Sequence, residues 1–146
     1  MNIKEGIGEV MTIREMKYDE LAEMLGLQEK SLRNLVRWEN KKKVKYNTVC
    51  GLLEPLQYKL VFRSGKKEYR AEKGRPYEVL KRMADDENAT PCGIGDAIGK
   101  ARGIITNIKK NRNCSYETMA ECFALMGYTP VLVPLGGKGT EVYIDE

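Results

Sequence analysis

Two short segments concentrate the side chains that could do chemistry in this chain, and that chemistry is the binding of a polyanion. Residues 28–45 carry seven lysines and arginines against two glutamates, a local charge of +5. Residues 100–112 carry five lysines and arginines and no acid, again +5, so the rest of the chain carries −6 under a net charge of +4. Such clustering is the electrostatic footprint of a protein that binds nucleic acid. Two solvated helix faces would carry the same charges, so charge alone leaves both interpretations open.

The composition excludes several other kinds of site. The chain has no histidine, so neither a Ser/His or Cys/His nucleophile nor a Cys/His zinc site can form, and the four cysteines make no C-x-x-C pair. Cys50 and Cys122 are expected to be small core residues. The acidic run 85–87 is interpreted as a solvated loop rather than a cation site, and the glycines of 93–95 and 136–139 lack the spacing of nucleotide-binding loops. We therefore expect no enzymatic activity, no cofactor and no metal.

The basic segments occupy matching places in an internal repeat. At an offset of 73, Gly26, Asn34 and Asn40 pair with Gly99, Asn107 and Asn113. At an offset of 70, Tyr46, Thr48, Tyr58 and Val61 pair with Tyr116, Thr118, Tyr128 and Val131. The repeat predicts two units, 1–75 and 76–146. Units of about 70 residues are marginally stable alone, so they should pack together.

Hydrophobic periodicity and turn residues predict the elements of each unit. The first unit should contain helices over 5–14, 18–25, 28–38 and 47–57, then strands over 58–63 and 67–70. The second should contain helices over 77–84 and 116–126, two helices flanking Gly99, a polar loop over 85–91, and strands over 129–134 and 141–145. The predicted fold class is mainly α with short β-hairpins. The hairpins could form one four-stranded sheet, or the last strand could pair with another chain.

A helix-turn-helix pattern occurs in both units. It needs a small residue in the first helix, a glycine at the turn and apolar residues inside the second helix. The first copy supplies Ala22, Gly26, Leu32 and Leu35, and the second supplies Gly95, Gly99, Ile105 and Ile108. Together with the run 18–27 and the closing Gly127-Tyr128 before a short strand, this resembles the Xre, or lambda-repressor-like, family of helix-turn-helix proteins of phages and mobile elements.

The resemblance implies which residues face DNA. In the first unit the outward face of the reading helix offers Gln28, Lys30, Ser31, Arg33, Asn34 and Arg37, while Lys41, Lys42 and Lys43 are expected to hold phosphates. In the second unit the corresponding face offers Lys100, Arg102, Thr106, Asn107 and Lys110. Gly103 is expected inside the second reading helix, where it would cost about 1 kcal/mol relative to alanine. Gly95 and Gly103 make the second unit the better candidate for a scaffold, if only one unit binds DNA.

The sequence therefore predicts a transcriptional regulator that binds double-stranded DNA through two covalently joined helix-turn-helix units. The alternative is a protein-interaction module of a phage or mobile element, such as an antitoxin or an anti-CRISPR-type inhibitor, contacting its protein partner through the hairpins and the 85–87 loop. Homodimerisation through hairpin strands is a further expectation. The chain shows no secretory leader and no apolar run long enough to span a bilayer, so we expect no membrane association and a cytoplasmic location.

Overall fold

The computed structural model describes residues 1–37, 42–101 and 103–145. Within these residues the first half of the chain contains four helices and two strands: α1 (Ile3–Ile13), α2 (Tyr18–Leu25), α3 (Glu29–Val36), α4 (Tyr46–Leu53), β1 (Tyr58–Ser64) and β2 (Lys67–Arg70). The second half repeats this order: α5 (Pro76–Asp86), α6 (Pro91–Ala97), α7 (Ile104–Asn111), α8 (Tyr116–Leu125), β3 (Thr129–Pro134) and β4 (Val142–Tyr143). The predicted fold class, mainly α with β-hairpins, is compatible with this architecture.

Local capping residues explain several of the helix ends. Asn2 and Glu5 form a capping box that starts α1, and the Ser115 hydroxyl accepts the Thr118 amide to start α8. Pro76 occupies the first turn of α5, where its fixed φ is already helical.

The structure corrects several predicted boundaries. Helix α4 ends at Leu53, before Pro55, rather than at 57, and the last strand is only Val142–Tyr143 rather than 141–145. Gly103 lies outside α7, because it is the N-cap residue with a φ of 89°, a left-handed conformation that favours glycine. The expected penalty for a glycine inside the reading helix therefore does not arise. The acids of the predicted 85–91 loop are partly helical, since α5 continues through Asp86.

The two hairpins form one antiparallel sheet in the order β2-β1-β3-β4. The sequence left open whether the two hairpins form one sheet or the last strand pairs with another chain. The hairpins form one sheet, because β1 and β3 pair along their length, from Tyr58 with Pro134 to Arg63 with Thr129. The edges are β2 and the short strand β4.

The register reveals a local two-fold relation between the halves. Val61 pairs with Val131, which is its own counterpart in the repeat. Lys45 likewise forms an antiparallel bridge with Ser115, its counterpart at the same offset. A residue can face its own counterpart only where a two-fold axis passes between the two. We call the axis defined by these two pairs the pseudo-dyad.

Hydrogen bonds around the Lys45–Ser115 bridge follow the same symmetry. The Tyr46 amide donates to the Cys114 carbonyl at 2.7 Å, and the Tyr116 amide donates to the Val44 carbonyl at 2.9 Å. Each bond is the image of the other under the repeat offset. The segments that follow α3 and α7 are thus paired across the pseudo-dyad.

The main core crosses the pseudo-dyad. Phe62 of β1 stacks on Phe123 of α8 with ring centroids 4.0 Å apart, and Tyr69 and Tyr128 pack around the pair. Gly6 of α1 approaches Ile144, which follows β4, so closely that a Cβ atom there would clash with its Cδ1. The predicted units therefore share one hydrophobic core. No helix of the described residues is long and apolar enough to cross a membrane.

Candidate nucleic-acid interface

The turn between α2 and α3 is closed by a glycine in the left-handed conformation. Gly26 has a φ of 69°, and its amide donates to the Glu23 carbonyl at 3.2 Å. The Leu27 amide then reaches back to the Ala22 carbonyl at 2.9 Å. These two bonds satisfy carbonyls at the end of α2 and set the direction of α3.

The turn after α6 repeats this arrangement atom for atom. Gly99 has a φ of 75°, its amide donates to the Asp96 carbonyl at 3.0 Å, and the Lys100 amide donates to the Gly95 carbonyl at 3.1 Å. Each of these residues is the repeat counterpart of one in the first turn. The second connection is longer, because α7 begins at Ile104, later than the repeat offset would place it.

The small residue required in the first helix of each pair has a steric reason. A Cβ atom on Gly95 would lie 2.9 Å from Cγ1 of Ile105, so α6 and α7 cross too closely for a larger residue. Its counterpart Ala22 is also buried, and Ala22 and Leu32 belong to the same hydrophobic core. The helix-pair pattern in the sequence thus corresponds to a packing constraint.

The predicted face of α3 is exposed. Leu32 and Val36 are buried on the inner side of the helix. All six of the proposed reading residues are solvent-exposed: Gln28, Lys30, Ser31, Arg33, Asn34 and Arg37. Arg33 is held in place by a neighbour on each side. Its Nη2 lies 2.7 Å from Oε1 of Glu29, and its guanidinium lies 4.5 Å from the centroid of the Tyr18 ring.

The face of α7 is shorter. Thr106, Asn107 and Lys110 are exposed, and Ile105 and Ile108 are buried. The neighbouring Lys109 ammonium lies 5.2 Å from the centroid of the Tyr77 ring.

Lys100 does not join this face. It lies before α7, its side chain is 23% exposed, and its ammonium group is 3.3 Å from a carboxylate oxygen of Glu121 on α8. The structure thus brings three of the five predicted second-unit residues together on α7. Arg102 lies outside the described residues, as do Asn40 and Lys41.

The lysines after α3 lie beside the pseudo-dyad. The backbone carbonyl of Lys42 accepts the Lys4 ammonium at 2.6 Å, and burial lowers the pKa of Lys4. Lys43 is 3.5 Å from Glu117 of α8, and Lys45 is exposed at the bridge itself. Positive side chains therefore lie where the two halves of the chain meet. In the sequence, they come after the first candidate reading helix and before the second.

Two asparagines that sequence reasoning did not assign a role hold this junction. The Asn47 amide donates to Oδ1 of Asn113 at 3.0 Å, and Nδ2 of Asn47 donates to the Arg112 carbonyl at 2.9 Å. Oδ1 of Asn47 accepts the Gly74 amide at 2.7 Å. The two asparagines lie in different halves of the chain, which explains why local patterns gave no signal for this contact.

The cysteines and the acidic run 85–87 were the other candidates for chemistry. The Cys50 and Cys122 thiols are buried, as predicted, and burial raises the pKa of each to about 11, which disfavours the reactive thiolate. Asp86 and Glu87 are engaged within the chain, by the hydroxyls of Tyr69 and Tyr128 and by Lys67. No group of three or more possible metal ligands occurs in the part of the chain described.

No protein-family model matches the chain, and neither a curated protein nor a solved structure is significantly similar to it. The case for a function therefore depends on the geometry of the two helix pairs and the charges around them.

Proposed function

We propose that this chain is a sequence-specific double-stranded DNA-binding protein, a transcriptional regulator of the Xre or lambda-repressor-like type with two reading helices on one chain. The observation that supports it most is the repeated helix pair. Both pairs have the same turn hydrogen bonds, and the second helix of each presents exposed polar and basic side chains.

The pseudo-dyad supports an inverted arrangement of the two half-sites. A tandem repeat in sequence could give heads that read DNA in the same direction. Here β1 and β3 are antiparallel and face each other at Val61 and Val131, as at the axis of a symmetric dimer. Two-fold-related heads read inverted half-sites, which lie about 34 Å apart when both heads contact one side of the duplex. Because the faces of α3 and α7 differ, the two half-sites should differ in sequence.

The exposed side chains divide into two classes by chemistry. Asn34 and Asn107 are counterparts, and asparagine can bond both N6 and N7 of adenine. Arg33 suits guanine, but it must first leave Glu29, whose carboxylate would repel the DNA backbone if left unpaired. Lys42 and Lys43 are suited to phosphates, which position a protein without specifying sequence.

The first experiment is selection from a random double-stranded DNA pool at near-physiological salt. We expect a two-part motif with inverted, unequal half-sites about one helical turn apart. A single half-site would mean that one helix pair is a scaffold. General, salt-sensitive binding with no motif would refute the proposal and favour a protein-interaction module instead.

Matched variants then test the division between base and phosphate contacts. Asn34→Ala should weaken binding to the selected site by about 1–3 kcal/mol and relax its base preference. Lys42→Ala should weaken binding to all sequences alike. It should also make the slope of log affinity against log salt concentration less steep by about 1, the contribution of one phosphate contact. Lys66→Ala, which removes an exposed charge at the β1–β2 turn, is the control and should change little. Equal losses on all sequences for both Asn34→Ala and Lys42→Ala would contradict this division.

A further inference from the structure

A second feature of the molecule is a cavity of about 470 Å³ between α4, the beginning of β1 and the segment 70–73. Its apolar wall is formed by Leu53, Tyr58, Leu60 and Ala71, and none of its lining residues belongs to α3 or α7. The volume lies within the range of small-molecule sites, which are typically apolar clefts with a few placed polar groups. We call it the charged cavity.

The charged cavity has an excess of cations. Lys59, Arg70, Lys73 and Arg82 line it together with two acids, Glu54 and Glu72. Arg82 is 3.4 Å from Glu72, so these two largely neutralise each other. The side chains of the other three cations form no ion pair or hydrogen bond with the described part of the chain. Like charges collected around one cleft repel, and an anion bound between them would relieve that repulsion.

The position of Lys73 is favoured by a small residue opposite. A Cβ atom on Gly51 of α4 would lie 3.4 Å from Nζ of Lys73. The Lys73 ammonium therefore lies close to α4 at the mouth of the cleft, where Lys73 and Arg70 are both exposed. The repeat counterpart of Gly51 is Glu121, so the second half has a larger side chain at the matching position.

The pseudo-dyad places a second cavity, of about 400 Å³, at the matching location in the other half. The correspondence holds at the level of single bonds. The Ala71 amide donates to the Leu60 carbonyl at 2.9 Å, and the Ile144 amide donates to the Pro130 carbonyl at 3.1 Å. Pro130 is the repeat counterpart of Leu60, so the two cavities are repeat copies.

The copies have diverged in charge. Where the charged cavity has Glu54 and Lys59, the second has Ala124 and Thr129 at the corresponding positions, and its lining contains no lysine or arginine. The charged side chains that line the second cavity are Glu121 and Asp145, both acids. Cations therefore predominate around the first cavity and acids around the second.

We propose that the charged cavity binds a small organic anion, with its phosphate or carboxylate group on Lys59, Arg70 and Lys73 and its apolar part against Leu53 and Leu60. The guanidinium of Arg70 offers two parallel donors to either anionic group, and the lysines supply point charges. The site is independent of DNA binding, because it shares no residue with the proposed DNA-facing set.

Phenyl phosphate is the first probe, because it combines an anionic group with an apolar ring, and benzoate and phenol test the contribution of each part. Amide NMR spectra of the full chain are recorded during titration. We expect saturable shifts at residues 59–60 and 71–73 with phenyl phosphate or benzoate, and none with phenol. A stronger effect of phenyl phosphate than of benzoate would identify a phosphate-bearing ligand, and the reverse a carboxylate. Little change is expected at Thr129 and Ile144 in the second cavity.

A pair of double variants separates the site from general charge effects. Arg70→Gln with Lys73→Gln should weaken binding at least tenfold. Lys66→Gln with Lys138→Gln, which removes two exposed charges from the hairpin turns, should leave binding unchanged. Equal binding by both variants would overturn the proposal, as would shifts confined to α3, α7 or the second cavity, or no saturable shift with either anion.

Discussion

The aromatic contact across the pseudo-dyad gives the most direct test of how the two halves depend on each other. Phe123 is fully buried on α8, and its ring stacks on Phe62 of β1 with an angle of 9° between the ring planes. It also contacts Tyr69, from the first half, and Tyr128, from its own half. Replacing Phe123 by alanine should therefore destabilise both halves at once.

The size of the effect follows from burial and ring contacts. A Phe→Ala change in a core costs about 3–5 kcal/mol. Each aromatic pair adds about 0.5–1.5 kcal/mol beyond the buried area, which moves Phe123→Ala to the upper part of that range. With a urea dependence of about 2 kcal/mol/M, a loss of about 4 kcal/mol lowers the unfolding midpoint by about 2 M. Phe123→Leu, which keeps much of the volume but removes the ring contacts, should be less destabilising than Phe123→Ala.

Urea unfolding followed by circular dichroism and by amide NMR signals from β1 and α6 is the appropriate assay. The unfolding transitions reported by circular dichroism, by β1 and by α6 should coincide in the wild type and in Phe123→Ala, because one core serves both halves. Leu125→Ala, on the same helix but 47% exposed, is the matched control and should stay within about 0.5 kcal/mol of the wild type. A loss below about 1 kcal/mol for Phe123→Ala, or separate midpoints for β1 and α6, would refute the reasoning.

Three further substitutions test local features. Gly95→Ala should destabilise the fold, because overpacking costs about 1–3 kcal/mol while the higher helix propensity of alanine returns at most about 1 kcal/mol. Gly8→Ala should stabilise the fold, because a Cβ atom at Gly8 meets open space. Urea midpoints of the two variants that move in the same direction would contradict this. Ser115→Ala should lose about 1 kcal/mol with its N-cap bond, and an unchanged melting temperature would contradict that role. Hydrogen bonds from Arg63 lower the pKa of Glu141, so its contribution to stability is present above about pH 4.3 and is lost as pH falls through the lowered pKa. The stability difference between the wild type and Glu141→Gln should therefore shrink below about pH 4, and a difference independent of pH would exclude this cause.

Elements with strong local signals could be predicted from the sequence. Helix α2 and strand β2 begin and end at the predicted residues, 18–25 and 67–70. In α2 the two acids of the first turn and Gly26 at its end mark both boundaries. The outward face of α3 was also predictable, because buried Leu32 and Val36 fix which side of the helix faces solvent.

Features that depend on distant contacts could not be predicted in the same way. The pairing of β1 with β3 joins strands from opposite halves of the chain, and each hairpin alone is equally compatible with other partners. Lys100 was assigned to the second reading face, but Glu121, on a different helix, draws its side chain toward α8. The position of Gly103 outside α7 follows from the longer second connection, for which the first copy offered no template.

The charged cavity was accessible to sequence reasoning only through the differences between the repeats. The alignment at an offset of 70 sets Glu54 against Ala124 and Lys59 against Thr129. Identical pairs indicated the repeat, whereas these unequal pairs mark where the two copies differ in charge. The mismatches gave no location by themselves, because α4, β1 and the segment 70–73 come together only in the folded chain.

The Val61–Val131 and Lys45–Ser115 pairs place on one polypeptide a two-fold relation of the kind that two identical subunits form in a homodimer. In a homodimer every mutation appears twice, so both heads and both cavities must change together. In this chain each mutation appears once, and one half can acquire a new preference while the other keeps the old one.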